Sequence, residues 1–115
     1  MRAPLLVPLV LAGALLLGGC GPVHYLVQVT ARAQRALAEA KTAGAERLAP
    51  YHYWSAVTYL EMAREKAGYA DYQLAIRYGE ISEEMSDQGR RLAVDRAQSR
   101  TAPGKARPAG HGTER

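Results

Sequence analysis

At 115 residues the chain holds one domain at most, which excludes a multidomain enzyme. Its hydrophobic residues include 21 alanines and no phenylalanine, so bulky apolar side chains are scarce and a large core is out of reach. The net charge of +4 and the lone cysteine, which excludes an intrachain disulfide, draw their meaning from where they fall along the chain.

Met1 and Arg2 open the chain with positive charge, and Ala3 to Leu17 form an apolar run interrupted only by Pro4, Pro8 and Gly13. The small residues Gly18 and Gly19 follow. A charged start, an apolar stretch and small residues at its end are the layout of a secretory signal peptide, here residues 1–19. The run is about 15 residues long, short of the ~20 that a membrane-spanning helix needs. Leu17-Gly18-Gly19-Cys20 resembles the lipobox of bacterial lipoprotein precursors. That resemblance implies that Leu17, Gly18 and Gly19 guide cleavage and that Cys20 becomes the lipidated first residue of the mature chain. Small residues let the backbone enter a membrane protease, and a thiol is the nucleophile that forms the thioether. Two or three acyl chains make a stable anchor where a single chain binds only marginally. Residues 20–23 then form the anchor and a short linker, with Gly21-Pro22 as a turn signal. Position 21 is not the aspartate that holds such lipoproteins in the inner membrane, so the resemblance implies the outer membrane and a periplasm-facing domain.

Residues 24–98 are rich in Ala, Leu, Glu, Arg and Lys, with Pro50 the only proline and no alternating β-branched run, so an all-α domain of about three helices is expected. The first, His24 to Arg47, places Leu26, Val29, Ala33, Leu37, Ala40 and Ala43 on one stripe. Pro50 suits the first turn of the second, which runs to Ala67 with Tyr53, Val57, Leu60, Ala63 and Ala67 facing inward and Tyr59 and Met62 widening that sector. Gly68 is the expected C-cap, where positive φ is free of steric penalty. Asp71 can cap the third helix, from Tyr72, whose expected stripe is Leu74, Tyr78, Ile81, Met85, Gln88 and Leu92. Short connections make neighbours antiparallel. Arg35 with Glu39, Asp87 with Arg91, and Arg91 with Asp95 stand four apart and mark solvated faces.

From Ser99 the composition turns to Gly, Pro, Ala, Thr and basic residues, the mark of a disordered tail over residues 99–115. Residues 24–98 carry ten basic and ten acidic side chains, so the domain is neutral and the excess charge sits in Arg2 and the tail.

The stretch Tyr59 to Tyr78 resembles the middle of a tetratricopeptide repeat, with Gly68 permitting the turn, Tyr72 packing into it and Ala75 allowing close approach over Gly68–Ala75. No second copy stands 34 residues away, and such arrays need three or more units, so a repeat scaffold is not expected. The lipobox, the alanine-rich first helix, the Ala49-Pro50-Tyr51-His52-Tyr53 helix start and the Ala67 to Tyr72 turn together resemble small bacterial envelope lipoproteins with an alanine-rich helical domain of unknown function. This likeness implies location and fold and no activity.

Nothing in the pattern assembles an active site, and the expectation is a non-enzymatic protein without cofactor or metal. His24, His52 and His111 fall in three separate segments, none at a spacing that puts two ligands on one helix face. Glu80, Glu83 and Glu84 form an acidic helix face. The conspicuous feature is aromatic: Tyr51, Tyr53, Trp54, Tyr59, Tyr69, Tyr72 and Tyr78 fall within 28 residues. Tyrosine has an apolar body and a polar rim, which serves helix packing, a protein partner and glycan stacking alike. A lean domain of about 75 residues gains from association, so Tyr51, Tyr53, Trp54, Tyr59, Tyr72 and Tyr78 are candidate contacts for an envelope protein or a second copy. The alternative is a peptidoglycan-associated module using the basic tail or the tyrosines. An exported, anchored protein has no use for nucleic acid.

Overall fold

Helix accounts for nearly all of the described backbone, and no strand occurs among the described residues. The computed structural model describes residues 4, 6–17, 21–102 and 104. Gly18, Gly19 and Cys20 lie outside them, as do residue 103 and the tail over 105–115. The described residues form five helical segments, α1 Leu6–Leu17, α2 Gly21–Thr42, α3 Ala45–Leu48, α4 Pro50–Gly68 and α5 Tyr72–Thr101, and the four from Gly21 onward stand where about three were expected.

Among the described residues α1 packs against none of the other helices and leaves Leu6, Val7, Leu9, Val10 and Leu11 exposed. No helix among the described residues is long and apolar enough to cross a membrane.

The helix expected over His24 to Arg47 is broken at Gly44. That residue takes φ 82°, its N–H bonds the Lys41 carbonyl at 2.9 Å, and the chain turns through the single-turn α3. Glycine weakens a helix interior and suits a left-handed stop, so the break falls where the backbone allows it. Ala45 and Leu48 of α3 then close a cluster with Ala40, Ala49, Tyr53 and Ala93. Arg96 of α5 donates to the Leu48 carbonyl, fastening the corner.

Pro50 starts α4 as expected, and the Asp71 side chain caps α5 by accepting from Leu74 N at 3.3 Å. Gly68, however, is the last residue of α4 and not its left-handed stop; Tyr69 caps the helix and the positive φ, 59°, falls on Ala70. At the far end α5 runs through Ser99 to Thr101, past the expected start of the tail, because Arg96, Ala97, Gln98 and Arg100 are helix-compatible and Pro103 is the first residue that cannot continue.

The core is organised by α5, which packs along both α2 and α4 while those two touch each other less. Its buried positions are Ala75, Gly79, Ser82, Ser86, Gly89 and Ala93, spaced alternately by four and three. The large residues expected there, Leu74, Tyr78, Ile81, Met85, Gln88 and Leu92, each stand one position earlier and are only half-buried. Small side chains face the neighbouring helices so that the backbones approach closely, and the large ones are displaced to the margin of the contact. A Cβ built on Gly79 would lie 2.7 Å from Val29 Cγ1, and one on Gly89 would lie 3.2 Å from His52 Cβ. Ser82 donates to the Ala56 carbonyl across the α4–α5 contact at 2.7 Å, and Ser86 donates to the Ser82 carbonyl at 2.8 Å, so the two buried hydroxyls are satisfied. On α2 the buried row Leu26, Val29, Ala33, Ala36 and Ala40 answers this seam, and on α4 Tyr53, Ala56, Leu60 and Ala63.

The contacts give the directions. Val29 meets Gly79, Arg32 pairs with Glu83 at 3.6 Å and Glu39 with Arg90 at 3.9 Å, so α2 and α5 run parallel. Ser82 meets Ala56 and Gly89 meets Tyr53, so α4 runs against α5. Tyr25, Arg32 and Glu39 are seven apart along α2, and Tyr25 donates to Glu80 at 3.2 Å. Such part-exposed pairs contribute about 0–1 kcal/mol each, so they bias register more than stability. Glu39 reaches Arg90 across the interface, whereas sequence spacing paired it with Arg35.

Two outcomes test this account. Gly79→Leu is expected to cost about 2–3 kcal/mol or to prevent folding, and a denaturant-unfolding cycle of Gly79→Ala with Val29→Ala is expected to show coupling of about 1–2 kcal/mol. Strict additivity would mean the seam is open at this level. Ala70→Gly relieves left-handed strain and is expected to stabilise by about 0.5–1 kcal/mol in thermal unfolding; a lowered Tm would contradict it.

Candidate functional site

The alternation of buried and exposed positions along α4 follows from its amphipathic spacing. Tyr53, Ala56, Leu60 and Ala63 go inward, which leaves Tyr51, Trp54, Ser55, Thr58 and Met62 on the outer flank. Tyr78 of α5 leans across to Tyr59 with ring centroids 5.9 Å apart. Pro50, Tyr51, Trp54, Ser55, Thr58, Tyr59, Met62 and Tyr78 thereby line a shallow, open groove of about 710 Å³ with largely apolar walls, the aliphatic hydroxyls of Ser55 and Thr58 and three phenol hydroxyls. None of its lining residues is charged. Trp54 is 53% exposed and Tyr51 73%, large aromatic surfaces that the fold leaves unburied.

The structure brings together four of the six aromatic candidates: Tyr51, Trp54, Tyr59 and Tyr78 share the groove. Tyr53 does not join them. It is buried in the cluster with Ala40, Leu48 and Ala93, its ring edge-on to Trp54 at 5.2 Å, and so supports the tryptophan from beneath. Tyr72 opens α5 at the opposite end and is absent from the groove. Pro50, Ser55, Thr58 and Met62 enter the site without having been singled out as contacts. The spacing 51, 54, 58, 62 on one face of α4 is the signal that could have found them. The lipidation residues Gly18, Gly19 and Cys20 lie outside the described residues, and Leu17 ends α1.

His24 and His52 stay apart from each other, and His111 lies outside the described residues. His24 shares a hydrogen bond with Gln28 at 2.8 Å, while His52 stands edge-on to Tyr51 at 5.2 Å, near the other end of the unit. Among the described residues no group of three or more His, Cys, Asp or Glu side chains is placed to hold a metal ion. Glu80, Glu83, Glu84 and Asp87 line a polar surface hollow with Gln88 and Arg91; Glu80 also accepts from Tyr25 and Glu83 faces Arg32. The groove therefore offers shape, aromatic surface and hydroxyls to a binding partner, and no assembled nucleophile, base and oxyanion donor.

Compared with protein-family models, with curated proteins and with solved structures, the chain finds no match in any of the three.

Exposure separates the roles of adjacent aromatics. Trp54→Ala is expected to leave unfolding free energy within about 0.5 kcal/mol of the parent, whereas Tyr53→Ala empties a core position and is expected to cost about 3 kcal/mol. Equal losses in a urea titration would place Trp54 in the core as well.

Proposed function

We propose that the protein is a lipid-anchored, non-enzymatic lipoprotein of the bacterial outer membrane. On this reading its helical unit holds the aromatic groove of α4 and α5 out from the bilayer for an envelope protein partner. The observation that carries it is the exposed Tyr51–Trp54 surface on a rigid support. Trp and Tyr dominate binding hot spots because they bury large area at little conformational cost. An uncharged apolar groove of this kind is also what a soluble monomer tends to avoid exposing.

The arrangement of the chain supports the anchor. The segment α1 is apolar, exposed and packed on no other described helix, as a leader that is removed would be. Its 12 residues span about 18 Å, against a hydrocarbon core of about 30 Å. Because α4 runs back from its Pro50 end toward the start of α2, Trp54 lies about 21 Å along the helix from Gly68, the end nearest the anchor. At that height the Tyr51–Trp54 end of the groove faces the periplasm, clear of lipid headgroups.

Cys20→Ser is expected to abolish lipid mass on the mature N-terminus and to release the protein from the membrane fraction; unchanged retention without lipid would defeat the anchor. Photo-crosslinkers at Tyr51 and Trp54 in growing cells are expected to capture one defined envelope protein, with loss of capture on Trp54→Ala. Capture of glycan strands instead, or sedimentation with purified sacculi that depends on residues 99–115, would favour a peptidoglycan-associated module.

A further inference from the structure

Among the described residues beyond α1, the exposed large hydrophobic side chains fall at two ends of the unit. Tyr51 and Trp54 belong to the groove just described, and Val94 stands alone on α5. The others, Val23, Tyr25, Val27 and Tyr69, gather at the opposite end. Val23 and Val27 are one turn apart on α2, and Val27 shares a shallow hollow with Leu26 and with Ala67 of α4. Tyr69 follows directly after Gly68 in the α4–α5 turn at this end. Val27 is 61% and Tyr69 76% exposed. Tyr25 is held by its bond to Glu80.

From these positions we infer that Val23, Val27 and Tyr69 form a collar that docks on the phospholipid surface beside the anchor. The inference rests on the lipid-anchored reading, since Cys20 is the residue before Gly21, where α2 begins. Val27 stands six residues past Gly21, about 9 Å along the helix, within the depth of the headgroup region where amphipathic side chains bury. Beyond Val27 the exposed positions of α2 carry no further large apolar residue: Gln28, Arg32, Gln34, Arg35, Ala38, Glu39, Lys41 and Thr42 take over. Outward apolarity thus stops where distance from the anchor would take it out of lipid. A tyrosine on the rim adds a ring that rests among acyl chains while its hydroxyl stays wet. The nearby charges are mixed, Arg64 and Lys66 against Glu65 and Asp71, so the docking is apolar and does not require anionic lipid. Anchored at one point, a helical unit would swing freely; the collar fixes its tilt and with it the height of the groove.

The test uses the full mature lipidated chain in vesicles of phosphatidylethanolamine and phosphatidylglycerol, with a benzophenone side chain placed in turn at Val23, Val27, Tyr69, Arg35 and Trp54. Lipid adducts are expected at the first three positions and not at Arg35 or Trp54, with little change on raising salt. All five positions are exposed, so circular dichroism is expected to show the parent helicity in each variant. Intact mass of the same sample separates the two readings. Lipid on Cys20 without adducts at Val23, Val27 and Tyr69 overturns the collar and leaves the anchor. Absence of lipid on Cys20 overturns both. Adducts to a second copy of the chain, or equal lipid adducts at Arg35, would also overturn the collar.

Discussion

The seam of small residues along α5 is the constraint on which the rest of the structure depends. A chain with so few bulky aliphatics cannot fill a wide space between helices, so it stabilises the unit by narrowing that space. Ala75, Gly79, Ser82, Ser86, Gly89 and Ala93 let α2 and α4 come close, and the dispersion energy lost through small side chains is offset by contact between backbones and by Val29 filling the gap at Gly79. Serine is admissible in this dry seam because helix carbonyls are within reach of both hydroxyls.

Close approach also decides what the surface looks like. With small residues inward, Tyr59, Met62 and Tyr78 are left along the α4–α5 margin, and Tyr51 and Trp54 beyond it. The aromatic groove is therefore a by-product of how the core is packed, and an alanine-rich interior and an aromatic-rich exterior are two sides of one solution. Tyr53 links them, buried against the α3 corner on one side and touching Trp54 on the other.

Much of the fold was legible because periodicity and punctuation agreed. On α2 the rows through Leu26, Val29, Ala33 and Ala40 were readable from spacing alone, and Pro50 and Asp71 marked helix starts by well-understood backbone chemistry. Where the fold departs from the sequence pattern, each departure has its own local cause. Hydrophobic periodicity weights large side chains, and in α5 the buried face is made of Gly, Ser and Ala, so the inferred stripe fell one residue early. Gly44 was read through because its neighbours favour helix, and Gly68 was assigned a left-handed turn that the chain makes at Ala70 instead. At the groove, helical spacing already sets Tyr53 on the inner stripe and Trp54 off it, whereas which outward aromatics share one groove depends on where α5 places Tyr78.

The parallel course of α2 and α5 has a mechanical consequence. The chain enters at the Gly21 end of α2 and leaves at the Thr101 end of α5, which lie at opposite poles of the unit, with Val94 to Thr101 standing exposed beyond the buried seam. A pull between the two ends of the chain would run along the helix axes and slide α2 past α5. Every contact of the seam would be strained together, from Val29 on Gly79 to Glu39 on Arg90, with no single edge from which the helices could be peeled apart. Shear of this kind loads all the interdigitated contacts at once, so the unit resists a pull along its axis better than one across it.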